Sequence, residues 1–150
     1  MSDSTLHQLL AAELVLVQQL SALLTQEQDA LIKRQLDLVS QLIDTKNITL
    51  QNLEQASKAR VSYCVERGLQ SVEQIESSLG EQTAIWHDLQ QGAKLAEIMN
   101  RTNGQLIKTH EEINQHFMNA LAQQRNEDLG YSADGRLSQL SAIGRPFDRA

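Results

Sequence analysis

The sequence is poor in the residues that most chains use for cross-links, turns and aromatic cores. Its 150 residues include one cysteine, one proline, seven glycines and only 3% aromatic residues. The lone thiol, Cys64, excludes an intramolecular disulfide and suits a reducing compartment. With so few aromatic side chains, a core has to be built from Leu, Ile, Val and Ala, which is typical of helices packed side by side.

The chain also lacks an excess of basic residues and a long apolar run. Its formal net charge of −6 disfavours nucleic-acid binding, because a phosphate backbone is bound by a positively charged surface. No basic stretch followed by an apolar segment marks a secretory signal near the first residue. The densest apolar run, Leu14–Val17, is far shorter than the roughly 20 residues of a membrane helix. We therefore expect a cytoplasmic protein without stable membrane insertion.

No motif for catalysis, a cofactor or a metal is recognisable. The segment from His110 to His116 holds two glutamates, but its histidines stand six residues apart rather than four, as a zinc-binding helix requires. A di-metal helix bundle needs a Glu three residues before a His, and neither these two histidines nor His7 and His87 have one. We expect no enzyme activity, no cofactor and no metal site.

Helix signals divide the chain into a long body and a short tail. Apolar residues at three- and four-residue steps predict a first helix, for which Ser2, Asp3, Ser4 and Thr5 offer N-cap oxygens. They also predict a second helix that ends near Arg67 with Gly68 as its stop. Residues 25–36 interrupt the apolar spacing and are interpreted as a kink or a tight turn between two helices. The alternative is one very long helix, and periodicity does not decide between them. A brief helix is predicted within residues 69–80.

The last predicted helix, from near Glu81 to about Gln124, has the most regular apolar seam. Its members are Trp86, Leu89, Ala93, Ala96, Asn100, Asn103, Ile107, His110, Asn114, Phe117 and Leu121. A second apolar row beside this seam means that the helix touches two neighbours, which favours an antiparallel bundle. We predict an all-α fold, an antiparallel bundle of three to four long helices over residues 1–125, with a flexible C-terminal tail over residues 126–150.

Polar residues in the middle of that helix need an explanation. Asn100, Asn103 and Gly104 are poor helix formers, Gly costing about 1 kcal/mol relative to Ala. In a continuous helix the Asn residues would fix the register and Gly104 would permit close backbone approach; the alternative is a break with a turn at Asn103 and Gly104. Lys46 lies on the seam of the second helix and is placed to donate to an Asn oxygen. Together with Trp86 we assign these residues to a structural seam.

Apolar side chains near the C-terminus have no predicted place in the core. A segment of this kind typically becomes ordered on a partner, although a frayed terminus without a role is the alternative. The predicted partner-binding residues are Ile113, Phe117, Leu121, Leu129, Tyr131, Leu137, Leu140 and Ile143.

Five short motifs, in this order and spacing, resemble the FlgN family of flagellar chaperones. They are Glu27-x-x-Ala30-Leu31, Lys46-x-x-x-Leu50, Trp86-x-x-Leu89, Asn100-x-x-Asn103-Gly104-x-x-Ile107 and Tyr131-x-x-Asp134-Gly135-Arg136. One departure is Gln35, which stands where the family pattern has a small or acidic turn residue.

The resemblance implies a cytoplasmic chaperone of the flagellar type III export system. Such a chaperone binds the hook–filament junction proteins FlgK and FlgL through their C-terminal helical regions and delivers them to the export gate and ATPase complex. It also implies that the C-terminal region binds the client and that Tyr131 docks at the gate. Either client or both, and a monomer or a dimer, remain open. The alternative is a structural or self-associating coiled-coil protein without a client.

Overall fold

A computed structural model describes residues 2–129, with side chains described as far as residue 124. The helices are α1 (Ser4–Ile32), α2 (Leu36–Glu66), α3 (Val72–Leu79), a 3₁₀ turn (Gly80–Gln82) and α4 (Ala84–Leu129), and residues 2–129 contain no strand. The predicted all-α fold is confirmed, although α3 has only eight residues. The chain divides into two compact units, Met1–Asn100 and Arg101–Ala150.

The start of α1 is held by Asp3. Its carboxylate accepts hydrogen bonds from the backbone N–H groups of Thr5 and Leu6, at 3.1 and 3.0 Å, and from the Tyr63 hydroxyl at the far end of α2, at 2.8 and 2.7 Å. Burial raises the pKa of Asp3, but these hydrogen bonds and the charge of Arg67 lower that pKa by more, so it lies below the ordinary value. The cap thus joins the first turn of α1 to the last turns of α2.

Residues Lys33 to Gln35 form a tight turn between α1 and α2, which decides between the predicted kink and turn. The N–H of Gln35 donates to the carbonyl of Ala30 at 2.9 Å, and that of Arg34 donates to Leu31 at 3.1 Å. This pair of bonds is a Schellman motif, in which the residue after the cap adopts a left-handed conformation. Arg34 occupies that position with φ 55°, where glycine is the usual residue.

The end of α2 repeats the motif with the usual residue. Leu69 donates to the carbonyl of Cys64 at 2.8 Å and Gly68 donates to Val65 at 3.1 Å, while Gly68 has φ 69°. The predicted stop at Gly68 is confirmed. Ser71 then caps α3 through a reciprocal pair of hydrogen bonds with Gln74.

The core of the first unit lies between α1, α2, α3 and the beginning of α4. Its main cluster consists of Leu6, Leu10, Val17, Cys64, Ile75, Leu79, Trp86 and Leu89, and a smaller cluster of Leu20, Leu24 and Ala96 follows along α1. Ion pairs between Glu13 and Arg60 and between Glu27 and Lys46 show that α2 runs antiparallel to α1. The antiparallel packing predicted from the apolar seams is confirmed for these helices.

α1 also has the length and apolar composition of a membrane-spanning helix. The prediction against such a helix considered only uninterrupted apolar runs such as Leu14–Val17. It underestimated the mean hydropathy of α1 as a whole. A core helix of a soluble protein has the same properties. α1 buries two carboxylates, those of Glu13 and Glu27, and each has a cationic partner on α2. Paired buried charges of this kind are expected of a helix that packs against protein.

Candidate partner-binding site

A buried polar layer joins α1, α2 and α4 within the first unit. The Lys46 ammonium lies 2.9 Å from the Glu27 carboxylate and donates to the side-chain oxygen of Asn100 at 3.1 Å. The side chains of Lys46 and Glu27 are only 3% and 0% exposed. The predicted hydrogen bond between Lys46 and a seam asparagine is therefore confirmed, with Asn100 as the acceptor.

α4 continues without a break through Asn103 and Gly104, where a turn was the alternative prediction. Asn103 is fully buried, as its place on the seam predicts. The close approach predicted at Gly104 is not observed, because a Cβ built there meets no heavy atom of the described residues within 4 Å. It occurs instead at Gly92, where a Cβ would lie 3.0 Å from Val17 Cγ1. Gly92 therefore sets the spacing between α1 and α4.

Trp86 lies at the start of the α4 seam and is buried, as predicted. The Arg60 guanidinium lies 5.5 Å from the centre of its ring, in the range of a cation–π contact. Arg60 also donates to both carboxylate oxygens of Glu13, at 2.6 and 3.2 Å. Trp86 is thus packed beside a second buried ion pair.

Sequence reasoning missed both buried glutamates. Glu13 and Glu27 occupy positions of the α1 apolar stripe, three residues after Leu10 and three after Leu24. An acidic residue on a buried stripe needs a cation on a facing helix. This signal was sufficient to predict that each glutamate has a basic partner, but not that the partners are Arg60 and Lys46.

The apolar face of α4, formed by its seam and the row beside it, becomes exposed toward the C-terminus. In the second unit Ile107 is buried, whereas Ile113, Phe117 and Leu121 are 47%, 61% and 44% exposed. Their four-residue spacing puts all three on one face, over about 12 Å of helix. We call these three residues the α4 row. It contains the first three of the predicted partner-binding residues.

The other predicted partner-binding residues are not tested. Leu129 is the last residue of α4, and its side chain lies beyond those the structure describes. Tyr131, Leu137, Leu140 and Ile143 lie outside the described residues. Their roles stay predictions.

No constellation for chemistry is found in residues 2–129. The described part of the chain holds no group of three or more His, Cys, Asp or Glu side chains that could bind a metal ion. Cys64 is buried, and desolvation raises its pKa above the ordinary value, which disfavours the reactive thiolate. The thiol acts as a small packing residue in the main core cluster.

The fold and the α4 row define the class of protein, a helical bundle that presents an apolar face suited to another helix. The sequence model of one family, described as FlgN protein, matches residues 1–139. The chain therefore belongs to the FlgN family, as the motif resemblance predicted. This is a family of flagellar export chaperones and not of enzymes. No curated protein and no solved structure matches the chain.

Proposed function

We propose that the protein is a cytoplasmic chaperone that binds hook–filament junction proteins of the FlgK and FlgL type. It binds their C-terminal helical regions and delivers them to the flagellar export gate and ATPase complex. Family membership supports the general role in flagellar export. The exposed α4 row is the observation that carries the proposal for client binding.

The α4 row has the properties of a helix-binding surface. Large apolar side chains in contiguous exposed positions mark interaction sites on soluble proteins, and four-residue spacing on a helix matches the anchor spacing of helix-in-groove recognition. An aromatic residue, Phe117, lies at the centre of the row, where binding energy is usually concentrated. A client helix with its own apolar stripe would cover the row and would itself be protected from aggregation.

Client release requires a contact of limited size. Three half-exposed side chains on a single helix face offer less apolar area than an obligate interface, which typically buries about 2,000 Å² or more. Such a surface favours reversible binding, which a handover to the export gate needs. We assign Leu129, Leu137, Leu140 and Ile143 to an extension of the client contact, and Tyr131 to docking at the gate.

Truncation of the central aromatic residue tests the client contact. Phe117→Ala is expected to weaken binding to a C-terminal helical fragment of FlgK or FlgL about tenfold or more, because truncating a central anchor typically costs about 2 kcal/mol. Isothermal titration calorimetry measures the affinity. Leu95→Ala is the matched control, since Leu95 is an equally apolar residue of α4, 56% exposed, in the other unit. Equal affinities for the two variants would contradict the proposal.

A further inference from the structure

The first unit contains an open cleft, and none of its lining residues belongs to the α4 row. It lies between α2 and α4 above α1 and has a volume of about 440 Å³. Val17 and Glu13 contribute from α1. The side from α2 consists of Leu50, Leu53, Glu54, Ser57 and Arg60, and the side from α4 consists of Trp86, Leu89, Gln90 and Ala93. We call this the α2–α4 cleft.

The charges of the cleft are already neutralised within the protein. Its charged lining residues are Glu13, Glu54 and Arg60. Glu13 and Arg60 pair with each other, and Glu54 pairs with Lys58 at 3.0 Å. The remaining lining is mostly aliphatic or aromatic. An occupant of the cleft therefore fits best when it presents uncharged apolar groups to the lining. A charged group on the occupant would lose its hydration without gaining a partner.

One hydrogen-bond donor at the cleft is unused. The indole Nε1 of Trp86 is buried and has no hydrogen-bond partner among the described residues, although a buried indole N–H is usually paired. Trp86 is also the residue type in which binding energy is most often concentrated at protein interfaces.

The walls of the cleft fit a helix. On α2 the lining residues recur from Leu50 to Arg60, and on α4 from Trp86 to Ala93. The α2 wall is therefore about 15 Å long and the α4 wall about 10 Å, or two to three helical turns. Side chains one turn apart on a third helix are about 5–6 Å from each other, so two of them fit within this length. Three helices with an open groove along their axes accept a fourth as a bundle does.

We propose that the α2–α4 cleft is a second docking site, which takes two leucine-class side chains from one face of a client helix. This inference rests on the proposed chaperone function and extends it. The client would then contact each unit separately, the first at the cleft and the second at the α4 row. Each contact alone is small, and two linked contacts give a higher overall affinity than either.

The single tryptophan of the chain reports on the cleft directly. Protein labelled with 5-fluorotryptophan gives one ¹⁹F resonance, from Trp86, which is titrated with a tryptophan-free C-terminal helical fragment of FlgK or FlgL. A shift of this resonance that saturates together with the calorimetric binding curve is the expected result. Calorimetric binding without a shift would overturn the cleft proposal and leave the proposed function intact. Absence of binding in both measurements would overturn both.

Filling the cleft provides the second arm of the test. Ala93→Leu places a larger side chain on the cleft wall at an exposed helical position, and Leu is a good helix former, so the fold should be kept. We expect the variant to bind the fragment about tenfold more weakly, because one leucine-class side chain of the fragment would no longer be buried. We also expect that the fragment no longer shifts the ¹⁹F resonance of this variant.

Ala59→Leu is the matched control, the same substitution at an exposed alanine of α2 that does not line the cleft. Native affinity in Ala93→Leu, or an equal loss in Ala59→Leu, would overturn the proposal. A ¹⁹F shift that depends on protein concentration without any fragment would identify a second copy of the chain as the occupant and would also overturn it.

Discussion

Lys46 shows how one residue determines the helix contacts of the first unit. Its ammonium group is buried between a carboxylate on α1 and an amide on α4. Burial of two charges costs several kcal/mol in lost hydration, and the ion pair and its hydrogen bonds offset this cost only when the geometry is good. The pair therefore contributes less to net stability than its short distances suggest. We expect its larger effect to be on the alignment of the helices, because only one register of α4 brings Asn100 to Lys46.

Removing the cation alone is expected to be strongly destabilising. Lys46→Met leaves the Glu27 carboxylate buried without its counterion, so the free energy of unfolding should fall by about 3–5 kcal/mol. The double variant Glu27→Leu with Lys46→Met replaces both charges by apolar groups and should recover most of this loss. Urea unfolding followed by circular dichroism measures both.

The exposed pair of Lys58 and Glu54 provides the control for this comparison. These side chains are 74% and 65% exposed, and surface pairs contribute between about 0 and 1 kcal/mol. Lys58→Met should therefore change stability by less than about 1 kcal/mol. A loss in Lys46→Met as small as that in Lys58→Met would show that the buried pair does not have the role assigned to it.

At the scale of elements, the two Schellman turns differ in one residue. Both helices end with the same pair of hydrogen bonds, but the left-handed position is Gly68 after α2 and Arg34 after α1. A side chain at positive φ brings Cβ close to the backbone and costs roughly 1–2 kcal/mol. In addition, Gln35 at the start of α2 makes no side-chain capping bond. The α1–α2 turn is thus built from residues that are not optimal for it.

Exchange of the two residue types tests this reading of the turns. Arg34→Gly is expected to stabilise the protein, because glycine adopts the left-handed region without strain. Glycine also has more freedom in the unfolded chain, which offsets part of this gain, so the expected net increase in the free energy of unfolding is about 0.5–1 kcal/mol. Gly68→Ala should lower the free energy of unfolding by about 1 kcal/mol. The cost should come from backbone strain alone, because a Cβ at this position meets nothing within 4 Å. Thermal unfolding measures both. A lower melting temperature for Arg34→Gly would contradict the argument.

The same turn shows where sequence reasoning stopped. Gly68 marked the end of α2 because its lack of Cβ is visible in the sequence. Arg34 gave no such signal, since tertiary packing of α1 against α2 holds an unfavourable residue in place, and the break was predicted only as a kink or a turn. Gly104 shows the reverse error. Its residue type suggested close packing, but the helix neighbour that requires a glycine is Val17 opposite Gly92, and spacing along one helix does not reveal the partner.

At the scale of the molecule, periodicity predicted helices and seams well but not which part of a seam is covered. The α4 seam has one pattern from Trp86 to Leu121, yet it is buried at Trp86 and Ile107 and exposed at Phe117 and Leu121. Burial depends on tertiary packing, and the spacing of residues along one helix does not show it. Lys46 was predicted to donate to a seam asparagine because both are polar residues on seams, and the observed acceptor is Asn100.

Deletion of residues 126–150 separates the contribution of the C-terminal segment from that of the helical bundle. The variant keeps α1, α2, α3 and α4 as far as residue 125, so its helical circular dichroism signal should remain largely intact. Its affinity for the client fragment should fall, because Leu129, Leu137, Leu140 and Ile143 are assigned to the client contact. Calorimetry measures this loss, and Phe117→Ala in the full chain provides the comparison for a defect in the α4 row alone. Unchanged affinity after the deletion would assign the client contact to residues 1–125 and remove any role of the C-terminal segment in binding.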